Sequence, residues 1–169
     1  ITDDFMQAVI KDDNWKLIFN NRIYKTVKAK ELWNEIIASA WKTGEPGLTF
    51  ITIANNGNMN PHLDMVKSSN PCAEYMNIPY SSCNLGSLNL FKFVKNNQFD
   101  WDKFEQYISY AVRFLDNMIS VNKLPLLKIQ EVTEKIRPIG LGTMGLADAL
   151  FALGIPMNSK KGISFIDKL

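Results

Sequence analysis

Apolar positions along the chain alternate between helical and extended periods, with turn residues between them. Thr2 is placed to cap a short helix through Lys11, with Asp3 and Asp4 in its first turn and Phe5, Val9 and Ile10 on its buried side. Trp15–Phe19 and Arg22–Val27 read as two strands of a hairpin around Asn20-Asn21. Leu32, Trp33, Ile36, Ile37, Ala40 and Trp41 recur at helical spacing over Lys28–Thr43, and Gly44 ends that helix. The tryptophans are read as core. Leu48–Ala54, rich in β-branched residues, predicts a buried strand. Asn55–Pro61 is a polar loop that either shapes a pocket or crosses solvent, and His62 belongs to it. Strand-like alternation returns at Ser82, with Leu85, Leu88 and Leu90 as apolar members and Phe91–Val94 as an extension. Lys95-Asn96-Asn97 is a turn. Asp102 then predicts the cap of a long helix to about Val121, with Phe104, Ile108, Ala111, Val112, Leu115 and Ile119 facing the core. Ile129–Lys135 is a shorter helix, and Ser159 caps a last one to Leu169.

Composition narrows the classes without choosing one. The chain has 169 residues, 46% hydrophobic and 21% charged, which suits one globular domain with a sizeable core. A net charge of +2 is too small to argue for nucleic acid or a membrane surface. There is no apolar run of about 18 residues and no signal peptide. With two cysteines, this predicts a reducing, cytoplasmic compartment. Gly140-Leu141-Gly142-Thr143-Met144-Gly145 is formally a G-x-G-x-x-G. The dinucleotide reading is rejected because Pro138 breaks the preceding strand and no βαβ unit is evident. A tight turn leading into a Gly/Ala-faced helix accounts for these glycines by close packing.

The chemistry concentrates in Ser69–Leu90, SNPCAEYMNIPYSSCNLGSLNL, which holds both cysteines, Cys72 and Cys83. Pro71 lacks an N–H and restricts Asn70, so Asn70-Pro71-Cys72 reads as a loop or tight tip. Asn70, Cys72 and Glu74 are spaced by two, which in extended chain would turn an amide, a thiol and a carboxylate toward one ligand. Such a set offers a sulfur reactant, an acid/base group and an orienting hydrogen-bond partner. Cys72 also reads simply as a small buried hydrophobe. A structural Cys72–Cys83 disulfide suits a secreted chain better than this one. Two cysteines and one histidine do not make the usual zinc spacings, so no metal site is expected.

The stretch resembles the active-site segment of the ribonucleotide reductase large (catalytic) subunit. Asn70-Pro71-Cys72-Ala73-Glu74 is followed, eleven residues after Cys72, by Cys83-Asn84-Leu85-Gly86-Ser87-Leu88-Asn89-Leu90. GEPGLTFI upstream and RPIGLGTMGLADAL downstream resemble other segments of that family. The NPC form looks most like the adenosylcobalamin-dependent, class II branch. The resemblance implies an α/β fold, part of a ten-stranded catalytic barrel spanning residues 1–169, with an active-site finger loop at about 60–84. Cys72 would be the thiyl-radical cysteine, Glu74 the base for the 3′-hydroxyl and Asn70 the residue that orients substrate hydroxyls. Cys83 would be one half of the redox dithiol, which delivers two electrons by becoming a disulfide. The implied cofactor is adenosylcobalamin, or else a radical supplied by a separate metal-containing subunit. The implied partners are a ribonucleotide, a nucleotide effector, a thioredoxin-like or glutaredoxin-like reductant and a second copy in a homodimer. Cys83 has no partner cysteine here and no phosphate-binding loop is evident, so an internal fragment is expected, completed by the remaining segments of the subunit. Two rival readings stand: a non-catalytic piece of a split reductase that works only by association, and an unrelated thiol oxidoreductase. The second lacks a C-x-x-C.

Overall fold

The computed structural model describes residues 1–169 as two units, Ile1–Pro79 and Tyr80–Leu169. In the first unit Thr2 caps helix α1 (Asp3–Lys11), its hydroxyl accepting from the Phe5 N–H at 3.2 Å. Asp12, left-handed at φ 55°, closes the helix. Phe5 and Ala8 are buried, but Ile10, expected inside, is 73% exposed. Five residues after Phe5, it lies about 140° around the helix, off the buried face. Strands β1 (Asn14–Phe19) and β2 (Arg22–Lys28) form the expected antiparallel hairpin. Asn20 and Asn21 both take positive φ, the two-residue turn whose twist matches that of paired strands. Helix α2 (Ala29–Thr43) ends at Gly44, φ 81°. Ala29 completes a small core with Phe5 and Ala8, against which Trp15, Leu32 and Trp33 pack. Trp41, read as core, is instead 91% exposed, and Ile37 is exposed as well.

The strand expected over Leu48–Ala54 is a helix from its middle onward, α3 (Ile51–Asn56). Tertiary partners override β propensity here. The Asn55 amide donates to the carbonyls of Ile51, one turn back, and of Val66, and its oxygen accepts from the Val66 N–H, all at 2.9 Å. Thr52 accepts from the Asp3 N–H at 3.1 Å. Two very short strands, β3 (Ser68–Ser69) and β4 (Met76–Asn77), then pair antiparallel.

The second unit opens on β5 (Asn84–Asn89). Phe91–Val94 does not extend it. The Asn89 side chain accepts from the Phe91 N–H and starts a tight 3₁₀ turn over Leu90–Phe93. Strands β6 (Val94–Lys95) and β7 (Gln98–Phe99) flank a turn at Asn96-Asn97. Helix α4 (Trp101–Val121) is capped by Asp100, not Asp102: Asp100 accepts from the Lys103 N–H at 3.0 Å, while Asp102 lies in the first turn. Phe104, Leu115 and Ile119 are buried as expected; Val112 is exposed. Helix α5 (Leu127–Ile136) leads into β8 (Ile139–Met144), which runs parallel to β5, Asn84 opposite Ile139 through Asn89 opposite Met144.

A strand therefore does precede the helix of the glycine motif. Pro138 stands just before its first residue, where no ladder N–H is needed. Gly140 and Gly142 lie within the paired strand, and only Gly145, φ 71°, turns the chain into α6 (Leu146–Leu153). The dinucleotide reading thus fails for a new reason: the first two glycines belong to the ladder rather than to a loop that cradles phosphate. Helix α7 (Lys160–Lys168) is capped by Ser159 as expected. Leu90, Phe93, Phe104 and Ala149 form the core of this unit, with Phe99 and Trp101 packed on it. No helix of the chain is long and apolar enough to cross a membrane.

Candidate active site

Residues 70–75 form the tip of the β3–β4 hairpin, closed by three hydrogen bonds that all involve Asn70. Its N–H donates to the Tyr75 carbonyl at 3.3 Å, its carbonyl accepts from the Ala73 N–H at 3.0 Å, and its side-chain oxygen accepts from the Tyr75 N–H at 3.0 Å. Pro71 follows, with no N–H to satisfy. Ala73 is left-handed, φ 62°, so the backbone reverses between Cys72 and Glu74. The expected extended geometry with three side chains on one face is therefore corrected: Asn70 folds back to brace the tip, while Cys72 and Glu74 stand exposed on it. The polar loop before it holds itself together. Asn58 donates to the Asp64 carbonyl and accepts from the Asn60 N–H, and Asn55 is bonded to Ile51 and Val66. His62 sits exposed in the turn that follows.

Cys83 belongs to the second unit and is half-buried immediately before β5. Neither cysteine is in a disulfide. The Cys83 sulfur lies 3.5 Å from the Asn84 carbonyl, and 3.7 Å from where a side-chain carbon on Gly140 would stand. Both flanking residues are tied to helices. The Ser82 N–H donates to the hydroxyl of buried Thr133 on α5 at 3.2 Å, and the two hydroxyls are 3.1 Å apart. The Asn84 amide donates to the Leu115 carbonyl on α4 at 3.0 Å.

Arg137, left-handed at the end of α5, reaches back to α4. Its Nε–H donates to Asp116 Oδ1 at 2.6 Å, and its Nη2 donates to the Asp116 carbonyl at 2.8 Å and to Ser120 at 2.9 Å. The hydrogen bond from Arg137, helped by its charge and opposed by desolvation, holds the Asp116 carboxyl below its ordinary range. The same bond raises Arg137. Ser82, Thr133, Asp116 and Arg137 were not among the expected site residues. Arg137 lies in the recognised RPIGLG segment, but nothing in the sequence links it to Asp116, 21 residues earlier.

The first unit thus carries one free thiol, two residues from a carboxylate on a braced tip, and the second carries the other at the entrance to a pair of parallel strands. The chain belongs to the ribonucleotide reductase barrel-domain family, whose model, "Ribonucleotide reductase, barrel domain", matches residues 1–169. It is 42% identical over its whole length to 22% of the vitamin B12-dependent ribonucleoside-diphosphate reductase of Thermoplasma acidophilum. It is 38% identical, again over its whole length, to 25% of the enzyme of that name from Mycobacterium tuberculosis. The chain thus spans about a quarter of the length of these relatives. Among solved structures, the Actinobacillus ureae class Id ribonucleotide reductase α subunit superposes with a TM-score of 0.65 over 97% of this chain and 30% of that one, at 22% identity. That likeness supports the fold.

Proposed function

We propose that these residues are the radical-bearing segment of a ribonucleotide reductase catalytic subunit, with a ribonucleoside diphosphate as substrate. The observation that carries this reading is the tip, where Cys72 and Glu74 stand exposed on either side of left-handed Ala73 and Asn70 braces the turn beneath them. The Cys72 sulfur, as a thiyl radical, takes the 3′-hydrogen of the ribose, and Glu74 takes the 3′-hydroxyl proton. Asn70, its oxygen engaged on Tyr75, has its Nδ2 to offer a substrate hydroxyl. The 2′-hydroxyl then leaves as water. Cys83 and a partner thiol outside this chain supply two electrons and two protons and become a disulfide, and Cys72 returns the 3′-hydrogen. The sum is ribonucleotide plus dithiol giving deoxyribonucleotide, disulfide and water. A thioredoxin-like or glutaredoxin-like protein would re-reduce the disulfide.

The relatives' names favour adenosylcobalamin as the source of the radical. The one histidine, His62, lies in an exposed turn, and none of the side chains at the tip is assigned to hold that group. The proposed chemistry assigns that group no contact within these residues.

The test is deoxyribonucleotide formation by the full-length protein, wild type and Cys72→Ser, with and without adenosylcobalamin and with no second subunit. Cobalamin-dependent turnover that Cys72→Ser abolishes is expected. Full turnover by Cys72→Ser would overturn the assignment. Turnover only with a metal-containing subunit would keep the chemistry and move the radical source.

A further inference from the structure

Cys83 precedes the β5–β8 ladder, whose first pair is Asn84 with Ile139. Cys83 and Ser82 lie just outside the paired residues of that ladder, and strand ends fray unless something else fixes them. Here a closed ring of contacts does so. Ser82 is bonded to Thr133. Thr133 on α5 and Arg137, the residue that closes that helix, are one helical turn apart, joined by the Arg137 N–H donating to the Thr133 carbonyl at 2.8 Å. Arg137 crosses to Asp116 on α4. Leu115, the residue before Asp116, accepts from Asn84. The ring thus starts at Ser82 and returns at Asn84, with Cys83 between them.

We propose that Thr133 and the Asp116–Arg137 pair are positioning residues for Cys83, fixing the backbone on both sides of its thiol so that it can close a disulfide. This rests on Cys83 being half of the reducing dithiol. Disulfide closure tolerates little error: the two Cβ atoms must come within about 3.5–4.5 Å with a restricted torsion. A backbone shift of one ångström at Cys83 uses up that tolerance. Thr133 is 3% exposed, so its hydroxyl has no water to exchange for Ser82. The RPIGLG segment thereby acquires a role at its first residue, as the arm that joins the two helices holding Cys83.

The test uses the full-length protein and three variants, Thr133→Val, Thr133→Ser and Cys83→Ser. Two rates are read: steady-state turnover with a dithiol reductant, and alkylation of Cys83 and Cys72 by iodoacetamide, followed separately by mass spectrometry. Loss of one buried hydrogen-bond partner predicts about a tenfold fall in kcat for Thr133→Val with little change in KM. It also predicts Cys83 alkylation about tenfold faster with Cys72 unchanged. Thr133→Ser, which keeps the hydroxyl, should restore both. Wild-type kcat and wild-type Cys83 alkylation in Thr133→Val would overturn the proposal, as would equal acceleration at both cysteines, the mark of general loosening. Full turnover by Cys83→Ser would instead remove the dithiol reading, leaving the alkylation rates to decide whether the ring holds Cys83. If Thr133→Val fails to fold, Asp116→Asn serves: faster Cys83 alkylation supports the ring, and an unchanged rate overturns it.

Discussion

Asn70 has two separable duties in this reading, and one pair of substitutions distinguishes them. Of the three bonds that close the tip, two use its backbone and survive any side-chain change; the third runs from the Tyr75 N–H to its side-chain oxygen at 3.0 Å. Asn70→Ala removes only that third bond. Its net worth is about 0.5–1.5 kcal/mol, so local opening of the tip should rise by up to about tenfold. Asn70→Asp keeps an acceptor for Tyr75 and makes the bond charge-assisted, so the tip should stay as closed as in wild type. It loses the Nδ2 donor, however, and places a second carboxylate four residues from Glu74. If Asn70 also donates to a substrate hydroxyl, turnover by Asn70→Asp should fall by roughly ten- to a hundredfold, the range for a hydrogen bond to a polar reacting group. The assays are hydrogen exchange over residues 68–78 and kcat/KM, both in the full-length protein. Wild-type turnover by Asn70→Asp would refute the substrate role and leave Asn70 as a brace. Unchanged exchange in Asn70→Ala would refute the brace.

Gly162→Ala sets helix propensity, which favours the change by about 1 kcal/mol, against contact. The new carbon would meet the Met157 and Pro156 carbonyl oxygens at 2.5 and 2.6 Å, both backbone, so the turn carrying the Ser159 cap must shift. Overpacking of about 1–3 kcal/mol plus a weakened cap should win; faster exchange over 159–169 is expected, and slower exchange would show that propensity decides. The Asp116–Arg137 pair gives a pH dependence: with its carboxyl held below the ordinary 3.8, Asp116 adds stability fully above that value, lost as pH falls through its lower folded value. The difference in α5 protection between wild type and Asp116→Asn should close on acidification in that window, and a constant difference would contradict the assignment.

Local chemistry was legible wherever a few adjacent residues decide the outcome. Thr2, Ser159 and Gly44 cap as expected, and Asn20-Asn21 makes its hairpin because two left-handed residues suit a two-residue turn. The expectation failed where a distant partner decides. Leu48–Ala54 has strand composition, but Asn55 and Thr52 bond it to Val66 and Asp3. Ile139–Met144 looked too broken by proline and glycine to be a strand, yet β5 supplies its ladder from 55 residues earlier, Asn84 against Ile139. The site divides in the same way. The order Asn70, Cys72, Glu74, Cys83 was readable as a motif, but the reversal at Ala73 was not, because no glycine marks that left-handed residue. The ring around Cys83 joins three separate segments, at 82–84, 115–116 and 133–137, and leaves no local trace.

The residues expected in the core but found exposed follow a rule of their own. Ile37, Trp41 and Val112 carry the right helical spacing yet stand in solvent, as does Leu85, an apolar member of its strand three residues from Leu88. Periodicity reports which face of an element is apolar, not whether the covering layer lies within the same 169 residues. Parallel strands in α/β proteins are covered on both faces, and closing them into a barrel removes both edges. β5 and β8 pair only with each other, so each keeps one open edge. A chain that spans about a quarter of its relatives and matches a barrel domain throughout should therefore present apolar faces of this kind. In this setting a wrong core expectation is still a correct statement about the apolar face. The exposure of Trp41 and Leu85 measures what these residues cannot cover by themselves, and at these positions it is the packing expectation that fails while the helical or extended conformation holds.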